Sequence, residues 1–240
     1  MGGNTLLQFR MLGFDIRLDT SWIFIAGLIV WTLGNGYFGQ ILRGYPPFLP
    51  WLFAVVGALG FFVSILIHEL GHAATARKLG IPVRGVTLLM FGGITEFGHN
   101  PRTPKHDFLV AAAGPFMNFL LGFLFIGLGG LARSFALGEP IIAVLHYLVF
   151  INFILAIFNI IPAFPLDGGR ILRSILWKGT KNYGKATRWA AKVGMVFSVL
   201  LMVYGGWELL NKNYISGLWL FFIASMMFNS AKQAAQHYRK

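Results

Sequence analysis

The most constraining feature of the sequence is a seventeen-residue run at positions 51–67 that is apolar apart from Ser64. This run leads directly into His68-Glu69-Leu70-Gly71-His72. If the helix continues to about Ala76, it is roughly 39 Å long at about 1.5 Å per residue, which is enough to cross the hydrocarbon core of a membrane. We therefore predict a membrane-spanning helix that carries two histidines and a glutamate near one end.

The spacing within this motif favours a metal site. Residues four apart share one face of a helix, so His68 and His72 can present two imidazoles to one ion while Glu69 stays close to it. Two neutral histidines with a proton-handling glutamate are the zincin pattern, and the predicted cofactor is one Zn²⁺ per chain. Histidines satisfied by neighbouring helices are the alternative, but ionisable groups inside a membrane are costly and usually functional.

The composition agrees with a membrane location. Of the 240 residues, 56% are hydrophobic and only 12% are charged, which indicates a polytopic membrane protein. The absence of cysteine excludes a thiolate zinc site, so zinc must use histidine and carboxylate ligands. The formal charge of +12 could suggest nucleic acid as a partner. However, most basic residues lie between apolar segments, so we expect no nucleic acid, and the lipid bilayer explains the charge better.

The apolar pattern predicts an all-α polytopic membrane protein, with residues 1–240 forming a single domain. Residues 1–20 are interpreted as an interfacial lead-in rather than a signal peptide. Residues 83–97 are β-branched and aromatic around Gly92-Gly93. They predict a small membrane-associated β-hairpin after the second helix, with a surface loop as the alternative. The six predicted transmembrane helices are residues 21–42, 51–76, 107–131, 140–161, 189–210 and 214–228.

A third protein ligand is expected, because a zinc site with two histidines needs one. Asp167 follows the fourth span, beyond two prolines and before Gly168-Gly169, so we expect non-helical backbone there and a sharp turn at the glycines. The alternative role of Asp167 is to cap a short amphipathic helix at the start of a basic loop, residues 170–192. The competing acidic and histidine residues lie in the loop after the motif helix or at other span ends: Glu96, His99, His106, Asp107, Glu139, His146 and Glu208.

A second candidate group lies in the third span. Asn118 follows Gly114-Pro115 and lies at roughly the depth of His68, so we expect it to face the site. The proline should kink this helix and free a backbone carbonyl. The alternative is purely structural, because small residues such as those at 111–114 also permit close helix packing.

The basic residues predict the orientation of the chain. Seventeen of the twenty lysines and arginines fall on the side of the two termini, and only Arg43, Arg133 and Lys212 fall on the other. The positive-inside rule therefore places both termini in the cytoplasm. His68 and Asp167 then both lie near cytoplasmic helix ends, where they can converge.

These motifs resemble the site-2 protease family of intramembrane zinc metalloproteases, in its compact prokaryotic type without a PDZ domain. The resemblance covers essentially all six predicted spans. It implies that His68, His72 and Asp167 bind zinc and that Glu69 is the catalytic carboxylate. It also implies that Asn159, with Asn118 as a further candidate, contacts the substrate or the developing oxyanion.

The implied function is the hydrolysis of peptide bonds in membrane-spanning protein substrates, in a prokaryotic cell membrane. A substrate unwound for cleavage could add a strand to the edge within residues 83–97. The connection over residues 79–106 is too short for a PDZ domain, and nothing after the last span suggests paired CBS domains. Two alternatives are a metal transporter, which has no need of Glu69, and a prenyl-protein protease, which would take a downstream glutamate as its ligand.

Overall fold

The structure is a computed structural model that describes residues 5–89 and 92–238. It divides into two compact units. The first unit comprises Met1–Asn100 and Ala113–Ala156, and the second comprises Pro101–Ala112 and Ile157–Lys240. The single domain expected over residues 1–240 stays a prediction. In chain order the elements are β1 (Thr5–Met11), β2 (Phe14–Asp19), α1 (Ser21–Asn35), α2 (Tyr37–Ile41), α3 (Leu49–Lys78), β3 (Val83–Leu89), β4 (Gly92–Phe97), α4 (Pro104–Ser134), α5 (Glu139–Ile160), α6 (Asp167–Thr180), α7 (Tyr183–Leu210) and α8 (Tyr214–His237).

The predicted fold class is confirmed: the described residues contain six helical segments long and apolar enough to cross a membrane. Two boundaries differ from the prediction by more than three residues. The fifth segment, α7, begins at Tyr183 rather than 189, because the Asn182 side chain accepts a hydrogen bond of 2.8 Å from the Lys185 amide and caps the helix. The last segment, α8, continues to His237 instead of ending at 228. The basic loop expected at 170–192 is therefore mostly helix, and its predicted short amphipathic helix is α6.

The predicted small sheet is present, but it has four strands in the order β1-β2-β3-β4. The first two come from residues 5–19, whose interpretation as a lead-in to the first span did not include strands. Leu12 and Gly13 both have positive φ, 51° and 81°, the backbone that a tight hairpin turn requires. β2 pairs in parallel with β3, with Ile16 opposite Val86, and β3 pairs antiparallel with β4.

The sheet packs on the helix that carries the metal-binding motif. Phe14, Ile16 and Val86 form a buried cluster with Leu70 and Ala73 of α3. Leu70 and Ala73 are three residues apart and so share a face of α3. Burying a large apolar side chain contributes about 1.5–3 kcal/mol, so this cluster holds the sheet beside the motif.

The second unit contains a buried ion pair. Asp107, in the first turn of α4, has no exposed surface. Arg173 of α6 donates to both of its carboxylate oxygens, from Nε at 2.8 Å and Nη2 at 2.7 Å. Burial acts to lower the pKa of the Arg173 guanidinium, but the hydrogen bonds and charge of Asp107 outweigh it and the pKa is raised. Asp107, a competing ligand in the sequence, is thus held in an ion pair.

Candidate metal centre and active site

Helix α3 brings the two motif histidines onto one buried face. His68 and His72 are one turn apart, and their Nε2 atoms lie 3.1 Å from each other. The rings are nearly perpendicular, with centroids 4.7 Å apart and an angle of 83° between planes. Both side chains are buried, as is Glu69 between them. The expectation that the motif would present two imidazoles on one side of a helix is therefore met.

The space around these nitrogens fits a metal ion. Two nitrogens bound about 2.0–2.1 Å from a tetrahedral Zn²⁺ are about 3.3 Å apart, close to the separation of the two Nε2 atoms. Gly114 of α4 faces the same two atoms, and a Cβ added there would overlap the Nε2 of both His68 and His72. The hydrogen side chain of Gly114 thus keeps open the place that a shared ligand needs.

Asn118 lies against the first of these histidines. Its Oδ1 is 2.5 Å from His68 Nδ1, and its side chain has no exposed surface. The sequence placed Asn118 at the depth of His68, and the structure brings the two side chains into contact on the side of the ring away from Nε2. Contact of Asn118 with the substrate stays a prediction.

Strand β4 covers the motif glutamate. The Thr95 hydroxyl donates a hydrogen bond of 2.7 Å to Glu69 Oε2. A Cβ added to Gly93 would overlap the Glu69 side chain, so a residue without a side chain is needed where the strand passes. Sequence reasoning missed both contacts, although a glycine pair within a strand pattern is a known signal of close backbone approach.

The second unit contains Asp167, buried at the first position of α6. Leu166 occupies the N-cap position, so the capping role considered for Asp167 is wrong. The helix begins at Asp167 itself, and Gly168 lies within its first turn rather than in a sharp loop turn. A Cβ at Gly168 would overlap the carbonyl oxygens of Ile160 and Ile161. This close approach explains the glycine there.

The remaining candidates have other partners or positions. Asn159 lies in the last turn of α5 and is partly exposed. His146 Nε2 lies 2.8 Å from Arg133 Nη2 in an exposed contact. The competing carboxylates are paired with polar groups: Glu96 lies 3.6 Å from Arg17, and Glu208 accepts from Asn213 at 2.7 Å.

The sequence of this chain matches a peptidase family profile and proteins that bear zinc metalloprotease names. The profile described as Peptidase family M50 matches residues 56–136 and 131–201. Rip3 of Mycobacterium tuberculosis, which bears a zinc metalloprotease name, is 35% identical over 93% of this chain and 57% of its own length. Zinc metalloprotease MJ0392 of Methanocaldococcus jannaschii is 30% identical over 95% of this chain and 60% of its own length. The chain thus spans less than two thirds of these relatives.

A solved structure agrees over nearly the whole chain. The structure titled Site-2 Protease from Methanocaldococcus jannaschii superposes with a TM-score of 0.64 and 28% sequence identity, covering 95% of this chain and 94% of that one. Together with the six apolar helices, these relatives identify the chain as an integral membrane protein. The matched profile covers more than half of it. The chain belongs to peptidase family M50, the family of the site-2 proteases.

Proposed function

We propose that this chain is an intramembrane zinc metalloprotease that hydrolyses peptide bonds of membrane-spanning proteins. One observation carries the proposal: two buried Nε2 atoms lie 3.1 Å apart beside a glutamate, on a helix long enough to cross a membrane. Membership of family M50 supports it. No feature of the site favours a metal transporter or a prenyl-protein protease.

The proposed ligands are His68, His72 and Asp167, with one zinc ion per chain. All three are buried and offer the two imidazoles and one carboxylate typical of catalytic zinc. When bound, zinc supplies Lewis-acid polarisation of the scissile carbonyl and lowers the pKa of water towards about 7. In a chain without cysteine, the carboxylate supplies the negative charge that partly offsets that of the metal in a medium of low dielectric constant.

Glu69 is the proposed proton carrier. Thr95 donates to Oε2, which leaves Oε1 to accept the proton of the attacking water and pass it to the leaving amide nitrogen. Proton transfer requires this carboxylate to be held within hydrogen-bonding reach of the water, and β4 holds it from one side. We propose Asn159 as the residue that contacts the substrate or the developing oxyanion. The burial of Asn118 against His68 favours a role in holding the ligand instead.

We propose that the substrate binds as an extended strand beside β4. A helical substrate hides its amides in hydrogen bonds, so it must unwind before cleavage. β4 ends the strand order of the sheet, so its outer edge is unpaired with any other strand among residues 5–89 and 92–238. An unwound segment would recover its hydrogen bonds there, next to Glu69. A proline that removes an outward-facing amide of β4 should slow cleavage without changing zinc content.

The orientation of the chain is a separate proposal: both termini and the active-site entrance face the cytoplasm. Single cysteines test it without background, because the chain has none. Lys105→Cys and Lys181→Cys should react with an impermeant maleimide only from the cytoplasm, and Arg43→Cys and Lys212→Cys only from outside. Labelling of Lys105→Cys from outside would reverse the assignment.

The decisive experiment measures zinc content and cleavage of a membrane-inserted reporter side by side. Glu69→Gln should retain one zinc per chain and lose cleavage, because the three ligands survive while the proton carrier does not. Asp167→Asn should lose cleavage and bind zinc more weakly, because a neutral amide replaces an anionic ligand.

The control variant is Glu208→Gln, which changes an exposed carboxylate bonded to Asn213 and should affect neither readout. Full zinc occupancy in Asp167→Asn would remove Asp167 from the ligand set. Cleavage by Glu69→Gln at the wild-type rate would refute the role of Glu69, and a zinc-free wild-type chain would refute the function itself.

A further inference from the structure

A line of buried polar side chains runs from the middle of α3 back to the first histidine ligand. The Ser64 hydroxyl donates to the Gly60 carbonyl at 2.8 Å. Asn152 of α5 donates from Nδ2 to Ser64 Oγ at 3.0 Å. Asn118 of α4 donates from Nδ2 to Asn152 Oδ1 at 2.9 Å, and Asn118 Oδ1 meets His68 Nδ1. This polar relay thus joins α3, α4 and α5 within the first unit.

The direction of the hydrogen bonds in the relay is fixed at its far end. Asn152 Nδ2 also donates to the Leu148 carbonyl at 2.8 Å. A backbone carbonyl can only accept, so the Asn152 amide must turn its NH₂ group towards it. The Ser64 proton is engaged by the Gly60 carbonyl, so Ser64 Oγ is an acceptor for Asn152 as well. Rotating the Asn152 amide by 180° would place its oxygen against the Leu148 carbonyl and leave buried groups unsatisfied.

The orientation of the Asn152 amide determines that of Asn118, and Asn118 in turn determines which nitrogen of His68 carries the proton. With its NH₂ group committed, Asn152 presents Oδ1, and only the NH₂ group of Asn118 can bond to it. Asn118 must therefore present Oδ1 to His68, and an acceptor at that position requires a proton on His68 Nδ1. A neutral imidazole protonated at Nδ1 has its lone pair on Nε2. The Nε2 atom of His68 is the one beside Gly114 and His72.

We propose that Asn152 is a positioning residue for the metal site: through Asn118 it holds His68 in the tautomer whose Nε2 can bind zinc. The proposal rests on the proposed zinc site. Asn118 and Asn152 have no exposed surface, so water cannot replace either partner. Groups that hold the second nitrogen of a metal-bound histidine typically change metal affinity by about 10–100-fold when removed.

The first test removes the relay from its far end. Asn152→Leu takes away the group that orients Asn118, so Asn118 is free to turn its NH₂ group towards His68. Zinc affinity, measured by chelator competition on the full chain in detergent, should fall at least about tenfold. Ser64→Ala should change it less than about threefold, because the Leu148 carbonyl still orients Asn152.

Two control variants test whether the loss of zinc affinity is specific to the relay. Asn229→Leu makes the same substitution at an exposed position of α8. Ser198→Ala removes another buried serine that bonds to the carbonyl four residues earlier. Both should leave zinc affinity unchanged. The second readout is ¹⁵N NMR of histidine-labelled, zinc-free protein, in which the His68 signals should report Nδ1–H in the wild type and a shift towards Nε2–H in Asn152→Leu.

A rescue variant distinguishes this role from a merely structural one. Asn118→Asp presents only acceptors, so it needs no orientation by Asn152 to accept a proton from His68 Nδ1. The double variant Asn118→Asp/Asn152→Leu should therefore bind zinc within about threefold of the wild type, tighter than Asn152→Leu alone. If Asn152→Leu does not fold, the wild-type spectrum still tests the inference, because a His68 protonated at Nε2 in the zinc-free chain would overturn it.

The two proposals fail in different ways. A wild-type chain that binds no zinc overturns the proposed function, whereas the His68 tautomer can still be read in the zinc-free protein. Wild-type zinc binding combined with unchanged affinity and an unchanged tautomer in Asn152→Leu overturns the inference. Failure of the Asn118→Asp double variant to recover zinc binding overturns it as well, because loss of packing would then be the cause.

Discussion

Two buried polar clusters, one in each unit, differ in charge and in where they end. The relay of Ser64, Asn152, Asn118 and His68 is uncharged and open, beginning at backbone carbonyls and ending at a proposed zinc ligand. The Asp107–Arg173 pair is charged and closed, because two hydrogen bonds join the carboxylate to the Arg173 guanidinium, with Arg170 a further 3.8 Å neighbour of Asp107 Oδ1. The Asp107–Arg173 pair stabilises the second unit. The relay instead fixes the orientation of the side chains along it, from Asn152 to His68.

Their positions follow from the cost of charge in a membrane. Asp107 is in the first turn of α4 and Arg173 is in α6, which lies between two candidate spans. Ser64, Asn118 and Asn152 of the relay instead lie near the middle of their spans, α3, α4 and α5, where an unpaired charge would be far more costly than a satisfied amide. Neutral amides can hold a ligand at that depth without adding a charge that competes for the metal.

The largest expected effect comes from breaking the closed pair. Asp107→Leu leaves the Arg173 guanidinium buried without the carboxylate that offsets its charge, and should cost about 3–5 kcal/mol of unfolding free energy. The double variant Asp107→Leu/Arg173→Met should recover most of this loss, because the buried guanidinium is removed together with its carboxylate. Arg170, which lies 3.8 Å from Asp107 Oδ1, keeps 18% of its side chain exposed to water. Unfolding by SDS titration in mixed micelles measures both. A double variant as unstable as the single one would show that packing, not charge, decides.

The next largest effect is expected from filling the space at Gly114, beside the His68 end of the relay. Gly114→Ala adds a methyl group that overlaps both histidine Nε2 atoms, and should weaken zinc binding about a hundredfold, or about 2.8 kcal/mol. Gly127→Ala on the same helix is the matched control, since its added Cβ has no described neighbour within 4 Å beyond the adjacent residues and backbone of its own helix. Equal zinc affinity in the two variants would mean that the metal does not use the space at Gly114.

The sequence predicts the metal-binding motif better than the groups that hold it. His68, Glu69 and His72 follow from helical spacing alone, and six apolar runs are enough to predict six helical segments. The polarity of Asn152 in an apolar span and of Ser64 in the apolar run were available signals. Their partners were not, because a hydrogen bond over 88 residues depends on how three helices pack.

The four-stranded sheet was likewise only partly predicted from the sequence. Its second hairpin was predicted from the glycine pair, but β1 and β2 were missed. The alternation of Phe14 and Ile16 with Asp15 and Arg17 is a strand signal too short to outweigh the apolar span that follows it. The contact of Thr95 with Glu69 could not be predicted either, since it depends on the strand lying across the motif helix.

A smaller effect is expected where β4 contacts Glu69, the proposed proton carrier. Thr95→Val removes the hydrogen bond to Glu69 Oε2 but keeps the size and shape of the side chain. Cleavage should slow about tenfold, or about 1.4 kcal/mol, with zinc content unchanged. Thr95→Ser keeps the hydroxyl and should recover most of the rate. If both variants cleave alike, the bond to Glu69 has no role in positioning the carboxylate.

The smallest effect is expected for an exposed ion pair. It tests whether burial accounts for the large cost of breaking the Asp107–Arg173 pair. Arg17 of β2 and Glu96 of β4 form an ion pair of the same chemistry as Asp107–Arg173, but their side chains are 34% and 42% exposed and 3.6 Å apart. Water and salt screen such a pair, so Glu96→Gln should cost about 0–1 kcal/mol of unfolding free energy. Most of that loss should disappear at about 1 M salt, where the Debye length is about 3 Å. Salt should affect the two pairs differently. Asp107 has no exposed surface, so the cost of Asp107→Leu should not change with salt. A loss in Glu96→Gln as large as that in Asp107→Leu would show that the presence of an ion pair, rather than its burial, governs stability.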